Sequence, residues 1–315
     1  MAQAGENPPQ EIIPDPPENL IDLDAARDER WTDGLFRTPS GTIRPLLLNA
    51  LIALRKSPAL KGMLQFNEFN LIVKLVKAPP WAGARGNWTV RAWNDHDDNL
   101  LTEWMQKHGI LITAPVASAA ATTIAKEKPH HPVHTYLRGL RWDEKPRLDK
   151  WLKTYLGADD TDYHTAVGSR WLISAVARIM SAGEGVKADC VLVLEGEQGT
   201  LKSSAIEMLA KPWFTDEISQ LGSKDTSMQL SGRWIIEIPE LSGFREASLE
   251  TLKAFLSRSI DRFRPPYGRH VIDSPRQCVF AATTNETQYL RDASGDRRFW
   301  PVQCGWIDLN KSQID

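Results

Sequence analysis

The sequence predicts an α/β fold with a phosphate-binding loop, preceded by a smaller, mainly helical N-terminal domain. The apolar run Cys190–Leu194 has the length of a buried parallel strand and is too short for a core helix. A glycine-containing turn and the helix-forming run Ser204–Ala210 follow it. Upstream, between Arg44 and Leu156, apolar residues recur at the spacing of amphipathic helices. These observations place a strand, a turn and a helix at the centre of the predicted fold.

The composition limits the class of protein. A chain of 315 residues has room for two domains, and 42% hydrophobic with 25% charged residues is typical of a globular protein. The net charge of −2 excludes a generally basic protein, so any nucleic-acid surface must be local. Three widely spaced cysteines predict buried thiols in a reducing compartment. No apolar run reaches membrane-spanning length and no signal-peptide pattern is present, so we expect a cytoplasmic protein without a membrane partner.

Three segments follow one another along the chain. Residues 1–40 are rich in proline and acidic side chains, which predicts a flexible arm. We assign residues 41–160 to the mainly helical domain and residues 161–315 to the domain with the loop. The first of these domains contains three clustered histidines, whose spacing Pro132 interrupts and which have no carboxylate or cysteine partner nearby. We therefore expect a surface or core role, and no metal site, for His130, His131 and His134.

The turn after the first strand carries the residues expected to bind phosphate. Glycines let the backbone curl so that successive N–H groups point at an anion, and the next helix adds the partial positive charge of its N terminus. Lys202 would reach the β- and γ-phosphates, and Ser203 would offer its hydroxyl to Mg²⁺. Leu201 stands where the pattern G-x-x-x-x-G-K-S/T has glycine, and a strand, turn and helix without a ligand is the alternative interpretation. The candidate nucleotide-binding residues are Gly196, Gly199, Thr200, Lys202, Ser203 and Ser204.

Two later strands end in polar side chains. The strand Trp234–Ile238 carries Glu237 and is followed by Glu240, and one of these carboxylates could hold the Mg²⁺ shell while the other orients the attacking water. Their spacing does not assign the two roles, and two surface glutamates are the alternative. A second run, 277–285, ends at Asn285, which is suited to contact a γ-phosphate or to position the water. Taken alone, this run predicts only a strand followed by a turn.

Two arginine-containing segments complete the candidate site. Arg297 and Arg298 follow a glycine turn, where they could stabilise transition-state charge in cis or from a neighbouring subunit; solvated arginines are the alternative. The segment from Lys253 to Arg276 contains six Lys/Arg residues and only two Asp residues, and its residues 265–268 are predicted to form a hairpin tip. This composition is typical of phosphate contact and base stacking, although a solvated hairpin would also fit. The candidate DNA-binding residues are Lys253, Arg258, Arg264, Tyr267 and Arg269.

The order of these motifs resembles the virulence-associated protein E family, P-loop ATPases of phages and mobile islands that are similar to superfamily 3 helicases. The resemblance runs from about Asn49 to Asp308 and is carried by EGEQGTLKSS, LGSKD, RWIIEIPEL, LKAFLSRSIDRFRPPYGR, PRQCVFAATTN and YLRDASGDRRFWPV. It implies an AAA+-like core that uses ATP and Mg²⁺, with Lys202 and Ser203 at the phosphates. It further implies Glu237 and Glu240 as the acidic pair, Asn285 as the sensor, and Arg297 or Arg298 as the arginine finger.

The resemblance also implies partners and a function. Similar proteins act in replication of mobile DNA. The resemblance therefore implies that this protein binds single-stranded or forked DNA, assembles into a homo-oligomeric ring and works with a replication partner such as a primase. They continue into helices beyond 300–302, so a C-terminally truncated ATPase domain is expected here. The sequence predicts an ATP-hydrolysing DNA helicase or translocase. The alternative is a DNA-binding module whose nucleotide site is degenerate because of Leu201. A small-molecule kinase is disfavoured because it would leave the basic hairpin unexplained.

Overall fold

The chain forms two compact units. A computed structural model describes residues 31–83, 88–181, 185–218, 224–241, 249–265, 270–285 and 297–310. The first unit contains the described residues up to Phe66 together with Val73–Lys128. The second contains Asn67–Ile72 and the described residues from Pro129 onward. Within the described part of the chain, no helix combines the length and the apolar character needed to cross a membrane.

The first unit is built around an alanine-rich helix. Its elements are α1 (Leu47–Lys56), β1 (Leu64–Asn67), β2 (Ile72–Leu75), β3 (Arg91–Ala92), α2 (Asp95–Lys107) and α3 (Ala114–Lys126). The small buried side chains of α3, such as Ala117 and Ala121, let both α1 and α2 pack against it. Helix α2 is capped by Asn94, whose side chain accepts hydrogen bonds from the N–H groups of His96 and Asp97.

The second unit is an α/β structure with a five-stranded sheet, which confirms the α/β part of the predicted fold. Its elements are β4 (Pro129–His130), α4 (Pro132–Gly139), α5 (Trp151–Leu156), α6 (Asp162–Met180), β5 (Val191–Glu195), α7 (Lys202–Ala210), β6 (Phe214–Thr215), α8 (Lys224–Gln229), β7 (Ile235–Ile238), α9 (Leu249–Leu256), β8 (Ile260–Phe263), β9 (Ile272–Pro275), β10 (Val279–Thr284) and β11 (Phe299–Gln303). The sheet has the order β11-β5-β10-β7-β6, and all of its neighbouring strands are parallel.

Both faces of this sheet are covered. In β5, Leu192 and Leu194 join the core formed with α6 and α7, while Val191 and Val193 join the core formed with α9. This alternation follows from the two-residue period of a strand, and burial on both faces explains why β5 is apolar throughout. Helix α9, the first part of the segment expected to face DNA, therefore covers one face of the sheet.

Helices α4 and α5, which the sequence analysis assigns to the N-terminal domain, pack in the core of the second unit. Val133 of α4 and Trp151 and Leu156 of α5 share that core with strands of the sheet. Gly157 has a left-handed backbone, with φ 63°, and ends α5. A Cβ atom at Gly157 would lie 2.7 Å from the backbone nitrogen of Trp306, so only glycine fits there. Gly157 is thus a helix cap in close contact with its own unit, and the predicted boundary after residue 160 falls inside the second unit.

Candidate active site

The carboxyl ends of β5, β10 and β7 lie side by side at one edge of the sheet. The register aligns Thr284 with Glu195 and Ala282 with Ile238, so the residues after these strands emerge next to one another. Ligands of open α/β sheets bind at this edge. The structure therefore brings together three of the predicted features: the glycine loop, the acidic strand and Asn285.

The glycine loop, residues 196–201, has a left-handed backbone at three positions. Gly196 has φ 155°, Gly199 has φ 80°, and Leu201 has φ 64° with ψ 21°. The conformation of Leu201 explains why the sequence pattern has glycine before the lysine, since a left-handed backbone brings a Cβ atom close to the next carbonyl oxygen. Thr200 stabilises the turn by donating its hydroxyl hydrogen to the carbonyl oxygen of Glu197, at 2.8 Å.

Lys202, the first residue of α7, directs its ammonium group into the loop. Its Nζ donates to the carbonyl oxygens of Gly196 (2.9 Å) and Glu197 (2.7 Å) and to Thr200 Oγ1 (3.2 Å). A fourth contact, at 3.2 Å, reaches Asn285 Oδ1 from the neighbouring strand. Burial lowers the pKa of Lys202, an effect that the nearby Cys304 thiol and Glu237 carboxyl partly oppose. The loop thus surrounds a cation on which two strand ends converge.

Glu237 is a buried carboxyl group with one oxygen held by two hydroxyls. Ser203 Oγ donates to Glu237 Oε1 at 2.6 Å, and Thr283 Oγ1 donates to the same oxygen at 2.7 Å. The register pairs Glu237 with Ala281, which places Glu237 and Thr283 on the face of the sheet that α7 covers. The other oxygen, Oε2, is buried and has no hydrogen-bond partner among the residues that the structure describes. Burial raises the pKa of Glu237, although the Ser203 and Thr283 hydrogen bonds lower it in part.

Glu240 differs from Glu237 in its surroundings. It is exposed and lies in the short 3₁₀ turn Pro239–Leu241 that follows β7. Its backbone is left-handed, with φ 50° and ψ 19°, which is a strained conformation for a residue other than glycine. Ser204, the remaining candidate of the loop region, is half-buried in the first turn of α7.

Arg297 and Arg298 lie at the opposite, amino edge of the sheet. The N–H of Val191, where β5 begins, donates to the carbonyl oxygen of Arg298 at 2.7 Å. The Arg298 guanidinium contacts Asp189 Oδ2 at 3.5 Å and Ser257 Oγ at 3.3 Å, while Arg297 is exposed. Strand β5 has five residues, or about 16 Å, between this edge and the glycine loop. Within one chain, the structure does not bring these arginines to Lys202.

The basic segment forms the predicted hairpin, because β8 pairs with β9 in antiparallel register. Arg258 and Arg264 are exposed, and Lys253 is half-buried on α9. Tyr267 and Arg269 lie outside the described residues. Arg276, which the sequence analysis counts with this basic segment, is buried at 2% exposure and cannot face DNA.

A family comparison adds to this geometry. A model of the virulence-associated protein E-like domain matches residues 137–315. The chain belongs to this family. The match contains the glycine loop, both strand ends and Arg297.

Among solved structures, apo forms of the NrS-1 C terminal region are similar to this virulence-associated protein E-like chain. One, an A form, is 16% identical, covers 79% of this chain and 59% of that chain, and has a TM-score of 0.44. A second structure is 17% identical, covers 78% of this chain and 59% of that chain, and has a TM-score of 0.45. This chain thus spans less than two thirds of the NrS-1 region it matches. The comparison with curated proteins finds no match.

Two buried arginines of this family member were not predicted as structural residues. Arg178 of α6 donates to the carbonyl oxygens of Cys278 (3.0 Å), Ala188 (2.8 Å) and Arg258 (3.3 Å). Arg276 forms two hydrogen bonds with Asp261, at 2.7 and 2.6 Å. For Arg178 the sequence contains a signal, a cation within the apolar stripe of α6, whereas nothing local distinguishes Arg276 from its exposed neighbours.

Of the surface and core roles that the sequence allows for the clustered histidines, the core role fits buried His131, and half-buried His134 packs against it. The rings of His131 and His134 stack with their centroids 4.0 Å apart. His131 Nε2 hydrogen-bonds with Gln277 Oε1 at 3.0 Å, and His134 Nε2 with the carbonyl oxygen of Ile179 at 2.6 Å. Burial lowers the pKa of His131, which favours its neutral form.

Proposed function

We propose that the second unit is an AAA+-like P-loop NTPase that hydrolyses ATP. The observation that carries the proposal is the convergence of Lys202 with Asn285 and of Ser203 with Glu237 at the carboxyl edge of one parallel sheet. A cation at a helix N terminus, a hydroxyl beside it and a buried carboxylate are the groups that phosphoryl transfer requires. Membership in the virulence-associated protein E-like family supports the same conclusion.

In this proposal, Lys202 and the loop bind the triphosphate. The N–H groups of the loop and of the first turn of α7 would surround the phosphates, and the ammonium group would exchange its contacts with loop carbonyls for phosphate oxygens. Because Lys202 also contacts Asn285, the terminal phosphate would lie on the side of the loop that faces β10. Asn285 would then act as the sensor that contacts this phosphate or orients water.

Ser203 and Glu237 fit a Mg²⁺ ion. Both offer oxygen atoms, the ligands that Mg²⁺ prefers, and Glu237 Oε2 is a buried acceptor without a partner in the described part of the chain. Among the described residues no group of three or more His, Cys, Asp or Glu side chains could hold a metal ion. A site of one hydroxyl and one carboxylate suits an ion that is shared with substrate phosphates. When bound, Mg²⁺ would neutralise charge that develops on the phosphate oxygens.

The remaining candidate groups have distinct roles in this proposal. Since Glu237 lies against Ser203, we assign it to the Mg²⁺ shell and assign the exposed Glu240 to the attacking water. Arg297 lies one strand length from Lys202, so the arginine finger would come from a neighbouring copy in a homo-oligomeric ring.

We further propose that ATP hydrolysis drives movement on single-stranded or forked DNA during replication of a phage or mobile element, with a primase as a replication partner. The β8–β9 hairpin supports DNA contact, because it carries exposed Arg264 beside the tip and continues to Tyr267 and Arg269. The net charge of −2 requires such a local surface.

A DNA-binding module with a degenerate nucleotide site is a second candidate. Two observations favour it: the left-handed backbone of Leu201, and the contacts of Lys202 with the loop's own carbonyl oxygens. A phosphate must compete with those carbonyls for the ammonium group, which would weaken nucleotide binding.

An ATPase assay with and without single-stranded DNA separates the two candidates. The wild type should hydrolyse ATP, faster with DNA, and Lys202→Ala should lose both ATP binding and hydrolysis. Lys107→Ala, which removes an exposed lysine of α2 that pairs with Glu103, is the matched control and should behave as the wild type. Absence of hydrolysis in the wild type, together with retained DNA binding, would favour the degenerate module. Unchanged ATP affinity in Lys202→Ala would refute the phosphate-loop assignment.

A further inference from the structure

We infer that Trp306 and Tyr163 form the site for the base of the nucleotide, and that this site binds purines by stacking. This inference rests on the proposed function, because it assumes that the phosphates occupy the glycine loop. It concerns the opposite side of the loop from Asn285 and Glu237.

The direction of the bound nucleotide follows from the polar groups. Lys202 contacts Asn285 at the end of β10, and Glu237 of β7 contacts Thr283 of β10. All the groups suited to the terminal phosphate therefore lie on the β10 and β7 side of β5. A nucleoside triphosphate bound along the loop must extend its base in the other direction, toward β11, the neighbour of β5 on that side.

The chain that leaves β11 borders the beginning of the loop. The N–H of Cys304 donates to the carbonyl oxygen of Glu195 at 2.8 Å. A Cβ atom on Gly196 would lie 3.5 Å from the carbonyl oxygen of Cys304. Two residues later comes Trp306, whose side chain is 87% exposed and thus presents a large aromatic surface close to the loop.

The backbone of Trp306 is held in place by α5. Gly305 N–H donates to the carbonyl oxygen of Leu156 at 3.0 Å, and Gly157 packs against Trp306 so closely that no side chain would fit. The indole is exposed on a backbone that is already fixed, so stacking a base on it requires little further ordering of the chain.

Tyr163 belongs to α6, the helix that packs against β5. It follows the Gly157 turn in sequence, at the first turn of α6, and is 45% exposed. Burial raises the pKa of Tyr163, and the Glu195 carboxylate at the end of β5 adds to this effect. Its ring lies 5.5 Å from that of His164. Trp306 thus presents a highly exposed ring beside the start of the loop, and Tyr163 presents a half-exposed ring on the helix that packs against β5.

Stacking predicts the specificity. Every base has a π-face, so stacking discriminates by ring size more than by hydrogen-bonding pattern. ATP and GTP should bind with similar affinity, and both should bind more tightly than CTP or UTP. Loss of one stacking ring should weaken nucleotide binding by about 5- to 100-fold.

Calorimetric titration with ATP and with inorganic tripolyphosphate tests the inference. Trp306→Ala should weaken ATP binding by about 5- to 100-fold and leave tripolyphosphate binding unchanged, since tripolyphosphate has no base. Trp306→Phe should restore most of the loss. Trp142→Ala, which removes another highly exposed tryptophan (75%), is the matched control and should bind both ligands as the wild type does. Lys202→Ala should weaken the binding of both ATP and tripolyphosphate.

The outcomes separate the two proposals. If Trp306→Ala binds ATP as tightly as the wild type, or if the wild type binds tripolyphosphate as tightly as ATP, the base site is refuted while the phosphate loop stands. If the wild type binds neither ligand, the proposed function fails and this inference fails with it. Equal affinity for ATP and CTP would refute the purine preference.

Discussion

Leu201 has a backbone conformation that its side chain disfavours. A left-handed backbone costs a residue other than glycine about 1–2 kcal/mol, while glycine loses about 0.5–1 kcal/mol more conformational entropy on folding. With φ at 64°, Leu201→Gly should therefore raise the free energy of unfolding by about 0.5–1 kcal/mol, measured by urea denaturation. If the leucine is a defect in the nucleotide site, the same change should also raise ATP affinity or turnover.

Leu201→Ala is the control for this prediction. It removes the exposed part of the side chain but keeps the Cβ atom, so the backbone strain and the stability of the wild type should remain. A Leu201→Gly variant that is less stable than Leu201→Ala would contradict the strain argument. Lower turnover in a stabilised Leu201→Gly variant would show that this loop has a working geometry of its own.

Glu237 makes the stability of the protein depend on pH. Burial raises its pKa above the ordinary value of 4.5. As pH rises from 4.5, the unfolded chain releases this proton before the folded chain does, so the free energy of unfolding falls until the folded-state pKa is passed. Glu237→Gln removes this titration. Urea unfolding from pH 4.5 to 8 should show wild-type stability falling relative to the variant as pH rises.

Glu240→Gln is the matched variant for this comparison, since Glu240 is exposed at the end of the same strand. Its stability should follow the wild type across the pH range. A constant difference in unfolding free energy between the wild type and Glu237→Gln would contradict a raised pKa at Glu237.

At the scale of elements, a buried ion pair joins the hairpin to the sheet. Arg276 hydrogen-bonds with Asp261 of β8, and its Nη1 donates to the carbonyl oxygen of Phe255 in α9 at 2.6 Å. Its guanidinium carbon also lies 4.5 Å from the centre of the Phe255 ring. Gln277 and Cys278 then lead directly into β10, whose far end carries Thr283 and Asn285. One strand therefore connects the base of the hairpin with the candidate active site.

Breaking this pair should destabilise the protein. Arg276→Met leaves Asp261 buried without its partner, which should lower the free energy of unfolding by about 3–5 kcal/mol. The double variant Asp261→Leu/Arg276→Met leaves no charge, but the Phe255 carbonyl loses one of its two hydrogen bonds and the Ser227 hydroxyl loses its acceptor, so its loss should be about 1–3 kcal/mol. Arg262→Met, at an exposed position of β8, is the control and should change stability by less than about 0.5 kcal/mol. A double variant that is less stable than the single variant would refute this account.

The hairpin tip should bind DNA mainly through charge. Each cation that neutralises a phosphate of a single strand contributes about 0.7 to the slope of log affinity against log salt. Arg264→Ala combined with Arg269→Ala should flatten that slope by roughly one to two units, measured by fluorescence anisotropy at several salt concentrations. Tyr267→Ala should cost about 1–3 kcal/mol of binding with little change in slope, since stacking releases no ions.

Lys150→Ala combined with Lys153→Ala is the control for the hairpin, because both lysines are exposed and contact Asp160. ATP binding should survive in every one of these variants. Wild-type affinity and slope in the arginine double variant would place the DNA surface elsewhere, first of all in the N-terminal unit.

At the scale of the whole molecule, the sequence predicts those features that depend on residues close together in the chain. The apolar runs of β5, β7 and β10 and the glycine loop are local patterns. The α/β class and the placement of Lys202 and Asn285 at one edge of the sheet could therefore be predicted from the sequence. The burial of Arg276 depends on Asp261 in another strand, and no local pattern reports such a partner. The predicted boundary after residue 160 falls inside the second unit, because the contact of Gly157 with Trp306 joins residues that are distant in sequence. Arg297, by contrast, could have been placed at the amino edge, since only Arg298 separates it from a parallel strand.

The separation of Arg297 from Lys202 predicts that the active site is completed between copies of the chain. A chain with Lys202→Ala keeps its arginines, and a chain with Arg297→Ala keeps its phosphate loop. Each variant alone should lack ATPase activity. In an equal mixture that exchanges subunits, one interface in four joins an intact loop to an intact arginine, so activity should return to about a quarter of the wild-type value.

Arg297 is the residue to vary because Arg298 is paired with Asp189 inside its own chain. Arg55→Ala, at an exposed arginine of α1 that pairs with Glu127, is the control and should retain full activity alone. Mixing at a concentration where gel filtration shows an oligomer, without any recovery, would refute a shared site.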